Sequence, residues 1–176
     1  MLAGYGAGVT PAVAQGVAPN SGVTSGWDSA LPTARRFIIL TAFNGEAVLD
    51  KNTGLVWEQA PTAATPSWST AKRSCVNREI GGTVGWRLPS VVELTSVQDH
   101  TLPAPFVPAS VFTIGNPGDI TTPGVRTGAY WSATASVDLP DNAWGAFFNH
   151  LDVFTAGKSG TLHVWCVRGP MNADAY

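Results

Sequence analysis

The chain has 176 residues, which suits one domain with an appended arm. Only 12% of residues are charged and 44% are hydrophobic, with seven tryptophans and 19 glycines, so the composition describes a large aromatic core cut by many turns. A net charge of −2 gives no basic field for nucleic acid or strongly anionic polymers, and no stretch reaches the roughly 18 apolar residues of a membrane span.

Residues 1–34 form an arm rich in Gly, Ala, Val, Ser and Pro. Its apolar start imitates a signal peptide, but the first positive residue is Arg35, and glycines and a proline interrupt the run. It reads as the start of a processed chain or as a natural arm. With so few helix or strand signals, it needs an outside surface to become ordered. The domain proper is expected over 35–170, followed by a tail at 171–176.

Phe37 to Leu40 reads as a strand. Ala47 to Asp50 and Leu55 to Glu58 read as a hairpin around the turn Lys51-Asn52-Thr53-Gly54. A helix starts near Thr65-Pro66-Ser67, and Trp68, Ala71 and Cys75 recur along one of its faces. Residues 85–94, GWRLPSVVEL, contain the capping box Ser90-x-x-Glu93, so a short helix is expected from Ser90 to about Val97 with Val91 and Leu94 buried. Arg87 sits on the extended segment before that cap. A lone arginine with no nucleophile or phosphate loop beside it reads as structural. Residues 99–128 hold many prolines and glycines and form a long irregular region with one apolar cluster, Val107 to Ile114. Tyr130 to Thr134 and Ala143 to Phe148 read as strands, 149–160 as a loop, and Leu162 to Arg168 as the last strand. In that strand Leu162, Val164, Cys166 and Arg168 share one face and His163, Trp165 and Val167 the other.

The two cysteines, Cys75 and Cys166, are either a disulfide between distant segments, which implies an oxidising compartment, or two buried thiols. The histidines His100, His150 and His163 are scattered without ligand spacing, and no Ser-His-Asp order or phosphate loop occurs. An enzyme is not expected.

Taken in order, Asp50…Thr53-Gly54-Leu55-Val56-Trp57-Glu58, Trp68…Ala71…Cys75, Gly82…Gly85-Trp86-Arg87-Leu88-Pro89-Ser90…Glu93-Leu94, Tyr130-Trp131-Ser132-Ala133-Thr134, Ala143-Trp144 and Cys166-Val167-Arg168 resemble the Lcl C-terminal domain family, named after a collagen-like bacterial adhesin. The resemblance covers roughly residues 37 to 169. It implies an α+β, C-type-lectin-like or formylglycine-generating-enzyme-like fold, with two short helices on small twisted antiparallel sheets and long loops. It also implies a secreted or cell-surface setting. There Trp57, Trp86, Arg87, Glu93, Trp131 and Arg168 serve as framework, with Glu93, Glu58 or backbone carbonyls as partners of Arg87. In that setting a Cys75–Cys166 disulfide is expected.

The function expected on this resemblance is non-catalytic extracellular adhesion, with a glycan or surface protein recognised by exposed residues of the last third: Asp138, Asp141, Asn142, Asn149, His150, Asp152 and Lys158. The loops set Asp138, Asp141 and Asp152 against only Lys158 and Arg126, which does not suit sulfated polymers. Asp138, Asp141, Asn142 and Asp152 match no calcium motif, and no cofactor or metal is expected. The alternative is a structural subunit of an extracellular filament, sheath or virus-like particle, a homo-oligomer assembled through residues 1–34 by strand addition.

Overall fold

A computed structural model describes residues 31–114 and 128–170. The arm up to residue 30, Arg126 and the tail 171–176 lie outside the described residues. The chain folds as α1 (Thr33–Arg36), β1 (Phe37–Ile39), a 3-10 turn (Thr41–Phe43), β2 (Ala47–Asp50), β3 (Val56–Glu58), α2 (Trp68–Val76), α3 (Val91–Ser96), β4 (Ala129–Ala135), β5 (Asn142–Phe147), β6 (Val153–Gly157) and β7 (Val167–Arg168). The strands make two antiparallel sheets, in the orders β1-β2-β3-β7 and β4-β5-β6. The fold is therefore α+β with few short helices, as expected.

The β2–β3 hairpin turns where the sequence permits it. Gly54 takes φ +75°, a left-handed conformation that costs glycine nothing. Asp50, fully buried, accepts hydrogen bonds from the Asn52 N–H and the Thr53 hydroxyl, both at 3.0 Å. The same carboxylate takes Arg36 Nε at 2.9 Å and Nη2 at 2.7 Å, while Arg36 also donates to the Ser96 and Gln98 carbonyls. This one pair ties the first turn of the domain to the end of α3. A buried pair whose guanidinium makes four hydrogen bonds stays in place because removing either partner strands the other, at about 3–5 kcal/mol.

Helix α2 buries Ala71 and Cys75, the face read from the sequence, and Cys75 is bonded to Cys166. Helix α3 begins at the capping box: Ser90 Oγ accepts from the Glu93 N–H at 3.2 Å, and Glu93 Oε2 accepts from the Ser90 N–H at 2.8 Å. Arg87 completes this corner. It donates to Glu93 at 2.7 and 2.5 Å and to the Gly169 carbonyl at 2.8 Å, while its backbone exchanges two 2.9 Å bonds with Val167. Of the three partners expected for Arg87, Glu93 and a carbonyl are used, and Glu58 faces Arg78 instead. Burial pushes the Glu93 carboxyl up, but the bonds from Arg87 and Ser90 outweigh it and hold it below 4.5.

Two apolar clusters fill the interior. One gathers Trp57, Trp165, Phe112, Tyr130 and Phe148 with Phe37 and Val48; the other gathers Trp86, Trp131, Ile80 and Leu88 around the disulfide. The alternation of residues 162–167 is as read: Leu162, Val164 and Cys166 enter the second cluster, Trp165 and Val167 the first. The Val107–Ile114 stretch joins the first cluster through Val107 and Phe112. The remaining expected framework residues are anchored too. Trp86 Nε1 donates to the Thr83 carbonyl at 2.8 Å, Trp131 Nε1 to the Pro66 carbonyl at 3.0 Å, and Arg168 lies 6.0 Å from the Phe43 ring centroid.

On α3 Leu94 is buried as expected but Val91 is only half-buried, and two further expectations fail locally. The region 149–160 is not a continuous loop, because β6 occupies Val153–Gly157. The last strand is shorter than read. Only Val167–Arg168 joins a ladder, while residues 162–166 run extended between the two sheets and touch them through isolated bonds such as His163 N–H to the Ala129 carbonyl. A segment wedged between two sheets cannot lie flush in either.

Three variants check these contacts. Replacing both cysteines by serine opens a loop of 91 residues and should destabilise the domain by roughly 4 kcal/mol in denaturant melts, with no free thiol detected in the unreduced parent. Arg87→Ala should cost about 1–2 kcal/mol, less than a fully buried pair, because its side chain is 39% exposed. The folded Glu93 carboxyl is depressed, so its contribution is present above pH 4.5 and is lost as pH falls through the folded value. Glu93→Gln should accordingly flatten the acid limb of the stability curve below that pH.

Candidate binding surface

The three-stranded sheet carries all seven residues expected to bind, but it divides them between its two ends. At one end the β4–β5 turn holds Asp138 and Asp141, Asn142 opens β5, and Lys158 follows β6. At the other end the β5–β6 turn holds Asn149, His150 and Asp152. Strand β5 separates them by five residue steps, about 17 Å at 3.4 Å per residue. Oxygen ligands of a calcium ion lie about 2.4 Å from it, so Asp152 cannot join Asp138 and Asp141 on one ion. Among the described residues no three His, Cys, Asp or Glu side chains gather closely enough to hold a metal.

The first end is internally braced. The Lys158 N–H donates to the Asp141 carbonyl and the Asn142 N–H to the Leu139 carbonyl, both at 2.8 Å. The Lys158 ammonium donates to the Pro140 carbonyl and lies 4.8 Å from the Trp68 ring, which Lys72 covers at 3.8 Å. Lys158 is thus engaged by its own turn and by α2, while Asp138 and Asp141 are exposed.

The second end offers aromatic surface. His150 stacks on Phe147 with centroids 4.2 Å apart and planes at 30°, and Phe147 meets Phe154 at 4.4 Å and 32°. His150 Nε2 lies 3.6 Å from the Asp152 carboxylate, with side chains 44% and 71% exposed. Three rings in a row with an acceptor at the rim make a platform for a flat apolar face flanked by hydroxyls. Asn149, expected on the exposed loop, is buried, because the chain leaving β5 dives inward. Phe148 packs on Tyr130 and Trp165, and its N–H donates to the Gly128 carbonyl at 3.1 Å.

The row that half-buried Phe147 and Phe154 make beside His150 escaped the sequence reading. Phe147 looked like core strand, and Phe154 fell in the supposed loop. The stretch Val153 to Gly157 has no clean alternation, and only its pairing to β5, with Gly145 opposite Phe154, reveals it. Gly145 is required there, since a Cβ would meet the Tyr130 carbonyl at 2.9 Å and the Phe154 ring at 3.1 Å.

The neighbouring titratable groups belong to the interior. Burial, aided by the charge of Glu58, pushes the Tyr130 phenol up to about 12. Burial lowers His163 despite its bond to the Ala63 carbonyl, so it is uncharged near neutral pH. Among the described residues no helix is long and apolar enough to cross a membrane.

Comparison with curated proteins gives no match. The family model of the Lcl C-terminal domain matches residues 46–168, more than two thirds of the chain, from the strand before the Asp50 turn to the arginine that closes β7. Matched by that model over most of its length, this chain belongs to the Lcl C-terminal domain family.

Proposed function

We propose that the chain is a non-catalytic binding domain of an extracellular or cell-surface adhesion protein, which recognises a glycan or a surface protein through the β5–β6 end of its second sheet. The observation that carries this reading is the row of rings made by exposed His150 and half-buried Phe147 and Phe154, with the exposed Asp152 carboxylate beside it. Stacked rings present fixed apolar area at little entropic cost, and a neighbouring carboxylate orients hydroxyl or amide donors. The disulfide fits an oxidising compartment. A glycan array probed with the folded domain, followed by titration calorimetry of any hit, tests the reading. His150→Ala and Asp152→Ala should each weaken binding about tenfold, equivalent to about 1.4 kcal/mol, without shifting the melting temperature. Parental affinity in both variants would remove this surface from consideration.

A second reading, a structural subunit joined through residues 1–34, is favoured by the open edge of β1. The Leu40 N–H donates to the Ala47 carbonyl and the Lys51 N–H to the Arg36 carbonyl, so Ile38 and Leu49 form the hydrogen-bonded pair. The peptide groups of Phe37 and Ile39 then point away from β2, and Ile38 and Ile39 are each 43% exposed. Such an edge accepts an added strand. Deleting residues 1–30 should leave domain melting unchanged and abolish assembly in light scattering; assembly that survives the deletion would dismiss the arm as its cause.

A further inference from the structure

The loop 59–67, between β3 and α2, is fastened at its two ends. The Gln59 N–H donates to the Glu46 carbonyl at 2.9 Å, and the Pro66 carbonyl accepts from Trp131 Nε1 at 3.0 Å. Between these points Ala60, Ala63, Ala64 and Thr65 are exposed, and the Ala64 N–H donates only to the Thr62 hydroxyl of the same loop, at 3.3 Å. Among the described residues, one hydrogen bond ties residues 60–65 to the rest of the chain: the Ala63 carbonyl accepts from the His163 ring. This tether shares no residue with the β5–β6 surface, and nothing below depends on that surface.

His163 is held by its main chain. Its N–H donates to the Ala129 carbonyl at 2.9 Å, and its carbonyl accepts from the Trp131 N–H at 3.0 Å, so the ring is the part free to turn. The half-buried ring lies against Tyr130 with centroids 5.3 Å apart. Nδ1 is buried with no hydrogen-bond partner. A carbonyl only accepts, so the bond to Ala63 is made by Nε2–H, and Nδ1 carries the lone pair of a neutral ring. Protonation adds an N–H at Nδ1, where no acceptor stands, and an unpaired charged donor inside the protein is costly.

We propose that His163 is an acid-operated latch, which holds the loop 59–67 against the second sheet while neutral and, on taking up a proton, turns its ring to solvent and drops the Ala63 carbonyl. The surroundings do not offset the added charge. Tyr130 on β4 faces the ring and stays un-ionised up to about 12. Glu58 on β3 spends its charge against Arg78 and Tyr130. The loop 59–67 contains no titratable side chain, and among the described residues no charged group acts on His163. Burial holds the ring below its ordinary 6.5, with the Ala63 bond opposing. The unfolded chain therefore takes the proton first. Stability is full above pH 6.5 and declines as pH falls from there to the folded value, which places the release in mildly acidic surroundings.

The test is an NMR titration of the folded protein from about pH 7.5 to about pH 4.5, following the His163 Cε1–H and the Trp131 indole N–H, whose acceptor Pro66 belongs to the same loop. His163 should titrate below 6.5, and the Trp131 signal should shift with the same midpoint. His163→Gln keeps a neutral donor for the Ala63 carbonyl and takes no charge, so its Trp131 signal should stay in place over that range. Urea midpoints should fall with pH over the same range in the parent and fall less in His163→Gln, a difference that separates this residue from His100 and His150. Should that variant not fold, the titration of the parent decides alone. A His163 midpoint at or above 6.5, a Trp131 signal unmoved through the His163 titration, or equal pH dependence of the two urea midpoints would overturn the proposal.

Discussion

Residues 162–168 form the constraint on which the rest of the structure depends, because both sheets and both cores use the same seven residues. Alternation sends Trp165 and Val167 into one cluster and Leu162, Val164 and Cys166 into the other. The backbone is shared in the same way. His163 bonds to Ala129 and Trp131 of the second sheet, and Val167 pairs with Trp57 of the first while exchanging two bonds with Arg87. A one-residue slip would exchange the contents of the two cores, so the register of this segment is strongly specified. The disulfide from Cys75 clamps α2 to it. Trp165 extends the hold, meeting Trp57, Phe112, Tyr130 and Phe148 ring to ring and donating Nε1 to the Glu58 carbonyl at 2.7 Å.

Around that segment the polar interior is sparse and specific, in keeping with a chain of so few charges. Arg36 with Asp50 locks the first turn to α3, Arg87 with Glu93 locks the start of α3 to β7, and Arg78 stands against Glu58. The first two pairs are well matched with additional hydrogen bonds, and so act as fasteners between elements distant in sequence. The third leaves two arginine donors unmet beside a cavity.

The proposed surfaces occupy places the framework leaves free. The rings at the β5–β6 end lie in line, and Gly145 lets Phe154 lie close across the strand pair. The opposite end of the same sheet is braced by the Lys158 bonds and by the Trp68 ring. The two ends of one sheet thus differ in kind, one fastened inward and one presenting rings and a carboxylate.

The sequence by itself determined what depends on local chemistry. The Ser90 and Glu93 cap, the glycine turn after Asp50, the buried face of α2 and the alternation of 162–167 follow from side-chain type and spacing, and each stands as read. The pairing of Arg87 was narrowed to a short set of partners by the same reasoning, and the six-residue distance to Glu93 made that choice a local one. Only the tertiary structure decided the rest. Arg36 lies 14 residues from Asp50 and carries no motif, so its burial could not be inferred before the sheet and α3 met over it. Strand β6 lacks alternation because it is an edge whose order comes from pairing with β5. Asn149 looked exposed because it sits in a turn, yet its neighbour Phe148 draws it inside. Seven polar residues close in sequence became two separate surfaces because a straight strand runs between them, and chain proximity does not fix spatial proximity once a strand intervenes.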